Sequence, residues 1–245
     1  MKDSYNDIFK NKKRILVVLA HPDDAEIICG GTIARLISDD KEVRLVVTTS
    51  GGKGMQERTD VSEADFSTER IKSQKDGAKA LGLKDDQVFN LETKDGEFEN
   101  SLENIEKIVF HIRQFKPDLI ITHNPYEIIN TFSEEENVRW VNHRDHRHTA
   151  IVTLDATYPY CRDTAFFPHH IKQGLKPHYV SEFLFSDSYT NKNAVAIEVT
   201  DFVDKKEAAL KHHANALTDE EIEGFIDEIK QGDKYFEVLG YTKLD

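Results

Sequence analysis

The chain has 245 residues, of which 38% are hydrophobic and 31% are charged, and its formal net charge at pH 7 is −13. This length suffices for one large α/β domain with a sizeable core. The acidic balance argues against a nucleic-acid partner, because phosphates require a basic protein face. No apolar run approaches the roughly 20 residues of a transmembrane helix, so we expect no membrane span.

The two cysteines, Cys29 and Cys161, are too few for a disulfide framework. We therefore expect a reducing, cytoplasmic location. The first 13 residues are polar and carry no signal-peptide pattern. We predict that they form a polar N-terminal extension of a single domain, which spans residues 1–245.

Short apolar runs alternate with helical patterns in the first half of the chain. This alternation predicts right-handed βαβ units and a mainly parallel sheet. The predicted strands are residues 15–20, 43–49, 87–91 and 118–122. Three helices are predicted in this half of the chain. The first follows Gly30-Gly31-Thr32, and the second spans residues 67–81. The third begins at an N-cap signature formed by Asn100 and Glu103 and ends at residue 115.

The second half begins with a long polar loop, residues 123–142, which leads into a helix from about residue 145 to residue 157. Residues 179–186 and 194–200 are predicted strands that add an edge to the sheet. Helical segments from residue 202 and from residue 218 close the fold. Thr218 and Glu221 form a capping-box pattern at the second of these.

One polar cluster directly follows the first predicted strand. His21 and Pro22 end the apolar run, since proline removes a backbone donor, and Asp23 and Asp24 come next. The carboxyl end of a strand in an open α/β sheet is where ligands bind, and imidazole with carboxylate suits Zn²⁺. An alternative interpretation is that the two aspartates only cap the next helix and supply first-turn charge.

A second cluster ends the long polar loop, where His143, Asp145 and His146 lie within four residues. His143 and His146 are three positions apart, so at the start of a helix they share one face. Asp145 is placed to hold the far ring nitrogen of a ligand histidine. Because parallel strands carry both clusters to the same sheet edge, we predict that they meet at one metal site.

The two motifs together resemble the LmbE-like, or PIG-L, family of zinc-dependent N-acetylglucosaminide deacetylases. The resemblance implies a Rossmann-like α/β fold, with helices on both faces of the sheet. Ala25, between the aspartates and the glutamate, and Arg144, where a proline is frequent, depart from the family pattern. The matching residues are His21-Pro22-Asp23-Asp24-Ala25-Glu26, Gly30-Gly31-Thr32 and His143-Arg144-Asp145-His146.

The resemblance also implies roles for individual residues. Asp23 is implied as the general base, and His143 as the group that protonates the leaving amine or steadies the oxyanion. Arg70 is similar in position to a family arginine that contacts substrate. The implied zinc ligands are His21, Asp24 and His146.

Two further residues complete the predicted site. His123 ends the fourth predicted strand, and this position suits a contact to substrate. Asp145 is expected to raise the pKa of whichever histidine it holds. Five further histidines are expected at the surface or with satisfied partners, and His213 is the candidate among them to reach the crevice. This group comprises His148, His169, His170, His212 and His213.

These expectations describe a metal-dependent hydrolase that removes an N-acetyl group from a GlcNAc-containing small molecule or glycoconjugate. Its cofactor is expected to be Zn²⁺, although His₂Asp sites also accept ions such as Fe²⁺. The expected partner is an N-acetylated amino sugar. The sequence leaves open whether the protein forms a homo-oligomer. Two alternatives remain: a zinc amidase that acts on a different amide, and a sugar- or nucleotide-binding α/β domain without catalysis.

Overall fold

The computed structural model describes residues 1–56, 58–133 and 138–244. Its helices are α1 (Tyr5–Phe9), α2 (Asp24–Ser38), α3 (Glu63–Leu81), α4 (Leu102–Phe115), α5 (Arg144–Asp155), α6 (Pro168–Lys172), α7 (Val203–Leu210) and α8 (Asp219–Glu228). Its strands are β1 (Arg14–Leu19), β2 (Glu42–Thr49), β3 (Val88–Thr93), β4 (Leu119–Thr122), β5 (Ile129–Ser133), β6 (Val138–Val141), β7 (Glu182–Phe185), β8 (Ala194–Glu198), β9 (Lys230–Gln231) and β10 (Lys234–Lys243).

The main sheet has the strand order β3-β2-β1-β4-β7-β10-β8. The strands from β3 to β7 in this order run parallel to their neighbours. β10 is antiparallel to both β7 and β8. The predicted mainly parallel sheet is therefore confirmed, and it ends in a short antiparallel edge.

β1 lies in the middle of the sheet and is buried on both faces. Val17 and Leu19 pack into one apolar cluster with residues of α2, α3 and α7. Leu16 and Val18 point to the opposite cluster, which contains residues of α4 and α5. Helices thus cover both faces of the sheet, and a strand between them has to be apolar at every position.

The N-terminal residues differ from the sequence expectation. Residues 1–13 were predicted to be a polar extension, but they contain α1, whose Tyr5, Ile8 and Phe9 are buried in the core. The Ser4 amide also donates a hydrogen bond to the Ala196 carbonyl (2.8 Å). The prediction was wrong because three apolar side chains at helical spacing are enough to anchor a segment that is otherwise charged. That residues 1–245 form one domain stays a prediction.

Several element boundaries also differ. α2 begins at Asp24 rather than after the Gly30-Gly31 pair, and Cys29 has non-helical backbone angles within it. α4 is capped by Ser101 rather than by Asn100. The loop expected at residues 123–142 contains the β5–β6 hairpin. Its run of glutamates at positions 134–136 lies outside the described residues.

Two strands at the end of the sheet were misjudged or missed. The sheet edge predicted from residues 179–200 is formed by β8 alone, because β7 pairs with the central strand β4. The long strand β10, which lies between β7 and β8, was not predicted. Within the described part of the chain, no helix is long and apolar enough to cross a membrane.

Candidate metal centre and active-site cleft

The carboxyl ends of β1 and β4 bring the two sequence clusters together. β1 ends at Leu19, and the turn that follows places Asp24 back under the strand end. There the Oδ2 atom of Asp24 accepts hydrogen bonds from the backbone N–H groups of Ala20 (3.1 Å) and His21 (2.7 Å). The Asp24 carboxylate is therefore fixed by the turn that precedes it and does not cap the helix that follows.

His21, Asp24 and His146 form a close triangle of possible metal donors. The Nδ1 atom of His21 lies 3.1 Å from Nε2 of His146 and 3.4 Å from Oδ2 of Asp24. The Nε2 atom of His146 lies 3.3 Å from Oδ1 of Asp24. Donors at the corners of a tetrahedron around Zn²⁺, with bonds of about 2.0–2.1 Å, are about 3.3 Å apart. Asp24 offers Oδ2 towards His21 and Oδ1 towards His146, and each of these separations is close to the spacing of tetrahedral zinc ligands.

The charges of this triangle are strongly coupled. Burial alone raises the pKa of Asp24, but the rings of His146, His123 and His21 outweigh burial and hold the pKa of Asp24 well below its usual value. Burial likewise opposes protonation of His21, but Asp24 and Asp145 outweigh it, and the pKa of His21 is raised. A buried carboxylate that attracts this much positive charge is suited to a cation.

His123 stands behind the triangle rather than at the cleft. Its ring stacks on His146, with centroids 3.9 Å apart, and its side chain is fully buried. Its Nε2 lies 3.0 Å from the Ala20 amide, and its Nδ1 lies 3.3 Å from the Ser186 hydroxyl. Burial lowers the pKa of His123 to about 3, so the ring is neutral. The predicted substrate contact is wrong for this residue, because substrate cannot reach a ring that is buried under a candidate ligand.

Asp145, in the second motif, lies close to His21 of the first motif. Its Oδ2 atom lies 3.5 Å from Nε2 of His21 and accepts the Gly96 N–H at 2.6 Å. Asp95, in the loop after β3, lies 3.5 Å from the same His21 nitrogen. Two carboxylates therefore face the far nitrogen of His21 and orient its Nδ1 towards the donor triangle.

Asp95 is a site residue that the sequence interpretation missed. Its only sequence signal is its position, two residues beyond a strand that also ends at the ligand edge of the sheet. Arg144, which departs from the family motif, donates hydrogen bonds to the carbonyls of Gly96 (3.0 Å) and Phe98 (2.7 Å). This departure thus ties the loop that carries Asp95 to the helix that carries His146.

Asp23 faces away from Asp24 and pairs with Arg70. The Nη2 atom of Arg70 lies 2.9 Å from Oδ2 of Asp23. Burial raises the pKa of Asp23, but the Arg70 guanidinium outweighs burial, and the pKa is lowered. Among the described residues, the Asp23 side chain makes no capping hydrogen bond to α2. The alternative in which the aspartates only cap this helix is therefore not supported.

His143 lies at the start of α5, on the exposed side of the site. Its Nδ1 accepts the backbone N–H of Asp145 at 3.1 Å, so in the neutral ring the proton is on Nε2. Burial and the neighbouring rings of His21 and His146 lower the pKa of His143. The geometry thus makes His143 a neutral N–H donor beside the donor triangle.

A cleft of about 310 Å³ opens above these residues and is lined by His21, Asp23, Arg70, Asp95, His143 and His146 together with Gly51, Gly54, Gln56 and Ala216. The glycine-rich turn after β2 borders this cleft through Gly51 and Gly54. Gly51 has φ +64°, and a Cβ atom there would lie 2.7 Å from the Pro22 ring. Both the backbone conformation and the close approach require glycine at this position.

Seven of the eight predicted site residues thus meet around or line one site, and His123 lies behind it. The fold and this cluster together define a Rossmann-like α/β protein with a candidate metal centre at the carboxyl edge of its parallel strands. The model of the PIG-L family, described as GlcNAc-PI de-N-acetylase, matches residues 16–157. The chain belongs to the PIG-L family of de-N-acetylases, which confirms the family resemblance.

Individual relatives agree with this family. The diacetylchitobiose deacetylase of Thermococcus kodakarensis is 26% identical over 215 residues, which are 88% of this chain and 74% of that protein. A probable N-acetyl-α-D-glucosaminyl L-malate deacetylase 2 of Bacillus cereus is 32% identical over 116 residues, which are 46% of this chain and 53% of that protein.

A solved structure confirms the fold. The N,N′-diacetylchitobiose deacetylase of Pyrococcus horikoshii, complexed with its inhibitor MPG, superposes with a TM-score of 0.79 at 24% identity. The superposition covers 96% of this chain and 85% of the other. At this identity the likeness shows a common fold, in agreement with the predicted Rossmann-like architecture.

Proposed function

We propose that this protein is a zinc-dependent deacetylase that hydrolyses the N-acetyl group of a GlcNAc unit in a small saccharide or glycoconjugate. The observation that carries this proposal is the donor triangle of His21, Asp24 and His146, with Asp23 beside it and facing the cleft. Zn²⁺ is the proposed ion because two imidazoles and one carboxylate at this spacing leave one tetrahedral position open. Fe²⁺ remains an alternative for the same donors.

The side chains around the triangle supply the proton transfers that amide hydrolysis requires. A bound divalent ion supplies Lewis acidity, which acidifies water and polarises the substrate carbonyl. Asp23 is kept anionic by Arg70 and accepts the proton of the attacking water. The proton then passes from the Asp23 carboxyl to the leaving nitrogen, because an amine leaves readily only when protonated.

His143 and Asp145 act on either side of this step. The Nε2–H of His143 donates a hydrogen bond to the carbonyl oxygen as negative charge develops there. Asp145 holds the far nitrogen of His21 and fixes the ring orientation. We assign Arg70 primarily to positioning Asp23. Its Nε and Nη1 atoms are buried and have no hydrogen-bond partner within the described residues.

The substrate class is proposed from the relatives together with the cleft. Both curated relatives named above are deacetylases whose names specify N-acetylated glucosamine units. The cleft is walled mainly by polar and charged side chains, which suits a sugar better than an apolar amide. The cytoplasmic location expected from the two cysteines and a homo-oligomeric state stay predictions.

Release of acetate tests the proposal directly. Protein freed of metal by a chelator is assayed with N-acetylglucosamine and N,N′-diacetylchitobiose, before and after addition of Zn²⁺. We expect acetate only from the metal-loaded protein, and none from an Asp24→Asn variant under the same conditions. Sugar binding without acetate release supports the binding-domain alternative instead, and hydrolysis of other amides alone supports the amidase alternative.

A further inference from the structure

A second group of metal-ligating side chains lies outside the cleft. Glu106 projects from α4, and His169 and His170 come from α6. One donor atom of each residue lies within 4.8 Å of the other two. None of the three lines the cleft described above.

The distances between the donor atoms of this group are compatible with binding of a metal ion. The Nε2 atom of His170 lies 3.5 Å from Oε1 of Glu106, close to the spacing of about 3.3 Å for tetrahedral zinc ligands. The Nε2 atom of His169 lies 2.6 Å from the same oxygen, as a hydrogen bond. The His169 side chain is 53% exposed, so its ring is free to move back and admit an ion.

The two helices that present these donors are already tied together. Arg113 of α4 is fully buried and donates hydrogen bonds to the carbonyls of Tyr160 (2.8 Å), Asp163 (2.7 Å) and Phe166 (3.0 Å). This segment leads directly into α6. The ligands are therefore held near each other before an ion binds, which reduces the ordering that binding requires.

The surroundings suit a cation with water ligands. A cleft of about 460 Å³ adjoins the group and is lined by Glu103, Glu106, His111 and His170, among others. Lys107 is neutralised by Glu103, at 2.9 Å.

We propose that Glu106, His169 and His170 form a second divalent-metal site, which takes an ion such as Zn²⁺ and links α4 to α6. Two imidazoles and one glutamate are a donor set that zinc uses in proteins. Water from the adjoining cleft completes the coordination. The site is separate from the proposed deacetylase centre and stands whether or not that centre is catalytic.

Zinc stoichiometry tests this site. Metal-free protein is titrated with Zn²⁺ by calorimetry, and the bound metal is then measured after gel filtration. We expect two equivalents for the unaltered chain and one for His169→Ala and for Glu106→Gln. Both substitutions change side chains that are not buried, so folding is preserved. His212→Ala, which removes an exposed histidine elsewhere, is the matched control and is expected to keep both equivalents.

Co²⁺ distinguishes the two sites by spectroscopy. In a His146→Ala background, Co²⁺ is expected to give visible bands from the second site alone, and adding His169→Ala is expected to abolish them. If the His169→Ala and Glu106→Gln proteins bind as much zinc as the unaltered chain, the group is an ordinary surface hydrogen bond and the proposal is overturned. If none of these proteins releases acetate, the result counts against the proposed deacetylase activity. The measured zinc stoichiometry still tests the second site.

Discussion

Asp23 and Asp24 are adjacent in the chain, yet their side chains have different partners. Asp24 is held by backbone amides and faces two histidines, whereas Asp23 faces Arg70 and the cleft. This divergence separates a candidate ligand from a candidate base within a single turn. It also allows the two roles to be tested independently.

Asp23→Asn is predicted to separate metal binding from turnover. The amide keeps the shape of the side chain but cannot take up the proton, so we expect kcat to fall by about 10²- to 10⁴-fold. Bound zinc is expected to stay at the level of the unaltered protein, since Asp23 is outside the donor triangle. Metal analysis and acetate release on the same sample check both points. Undiminished turnover would remove Asp23 from the base role.

His111 is predicted to make the protein sensitive to mild acid. Burial lowers its pKa to about 4 in the folded chain, against about 6.5 for a free imidazole. As pH falls below 6.5, His111 becomes protonated in the unfolded chain but stays neutral in the native state. The free energy of unfolding therefore decreases until the pH reaches the native pKa. Between pH 7 and pH 5 this amounts to about 2 kcal/mol.

Urea unfolding of His111→Phe at the two pH values checks this prediction. Phenylalanine keeps the packing against Phe89 and Phe110 but has no proton to exchange. We expect the loss of stability between pH 7 and pH 5 to be smaller than in the unaltered chain by about 2 kcal/mol. An equal loss in both proteins would contradict the assignment.

Individual site residues were predictable where two chemical signals coincided. His21, Asp24 and His146 belong to motifs that combine a metal-ligating type with a strand end. Asp95 has no motif, and only the register of β3 brings it to His21. His123 was placed correctly at the edge of the sheet, but burial of its ring depends on packing by His146 and Ser186, which sequence spacing does not reveal.

At the scale of elements, the break in α2 is the feature that positions the site. Lys206 donates to the carbonyls of Glu26 (2.9 Å) and Ile27 (2.6 Å), at the end of the first segment of the helix. Glu237 accepts the N–H groups of Gly31 and Thr32, where the second segment starts. Lys206 and Glu237 also pair at 2.8 Å, so one buried ion pair satisfies both broken ends.

Lys206→Met is predicted to destabilise the fold by about 3–5 kcal/mol, because it leaves the Glu237 charge buried without its partner. Lys205→Met is the matched control, since Lys205 is the neighbouring exposed lysine, and its effect is expected to stay within about 0.5 kcal/mol. Urea unfolding measures both. A similar small effect for the two variants would show that the pair does not hold the break together.

The same pair explains why β10 escaped prediction. A strand that is covered on both faces normally reads as a continuous apolar run, but Glu237 lies within β10 and is only 1% exposed. The charge interrupts the pattern that marks a strand. Its partner Lys206 is remote in sequence, so nothing local indicates that the glutamate is buried. In contrast, β1, β2 and β4 are buried without such charges and were predicted from their apolar runs.

For the whole molecule, the parallel order of β1 and β4 is what joins two motifs more than 100 residues apart. This convergence was predictable, because parallel strands end at the same edge. The β5–β6 hairpin was not, since its strands expose apolar side chains such as Trp140 and Val141. An alternation pattern predicts strands that pack on a core, whereas Asn130 is the one buried residue among the described residues of this hairpin, and it is polar.

Metal removal is predicted to lower the thermal stability of the fold. An ion bound only by the folded state stabilises it by about 4 kcal/mol at 1,000 times Kd, or roughly 10 °C for a chain of this size. We expect this shift when Zn²⁺ is added to metal-free His169→Ala protein, where only the cleft site remains. Calorimetric melting measures it. His146→Ala in the same background is expected to show almost no shift, and an equal shift would contradict the ligand assignment.

Because Asp145 orients His21, α5 influences two of the three proposed ligands of the ion. That helix carries one proposed ligand, His146, and also the carboxylate that steadies another. A displacement of α5 therefore loosens two of three bonds simultaneously. We expect the cation to leave in one abrupt step, with no half-liganded state along the way.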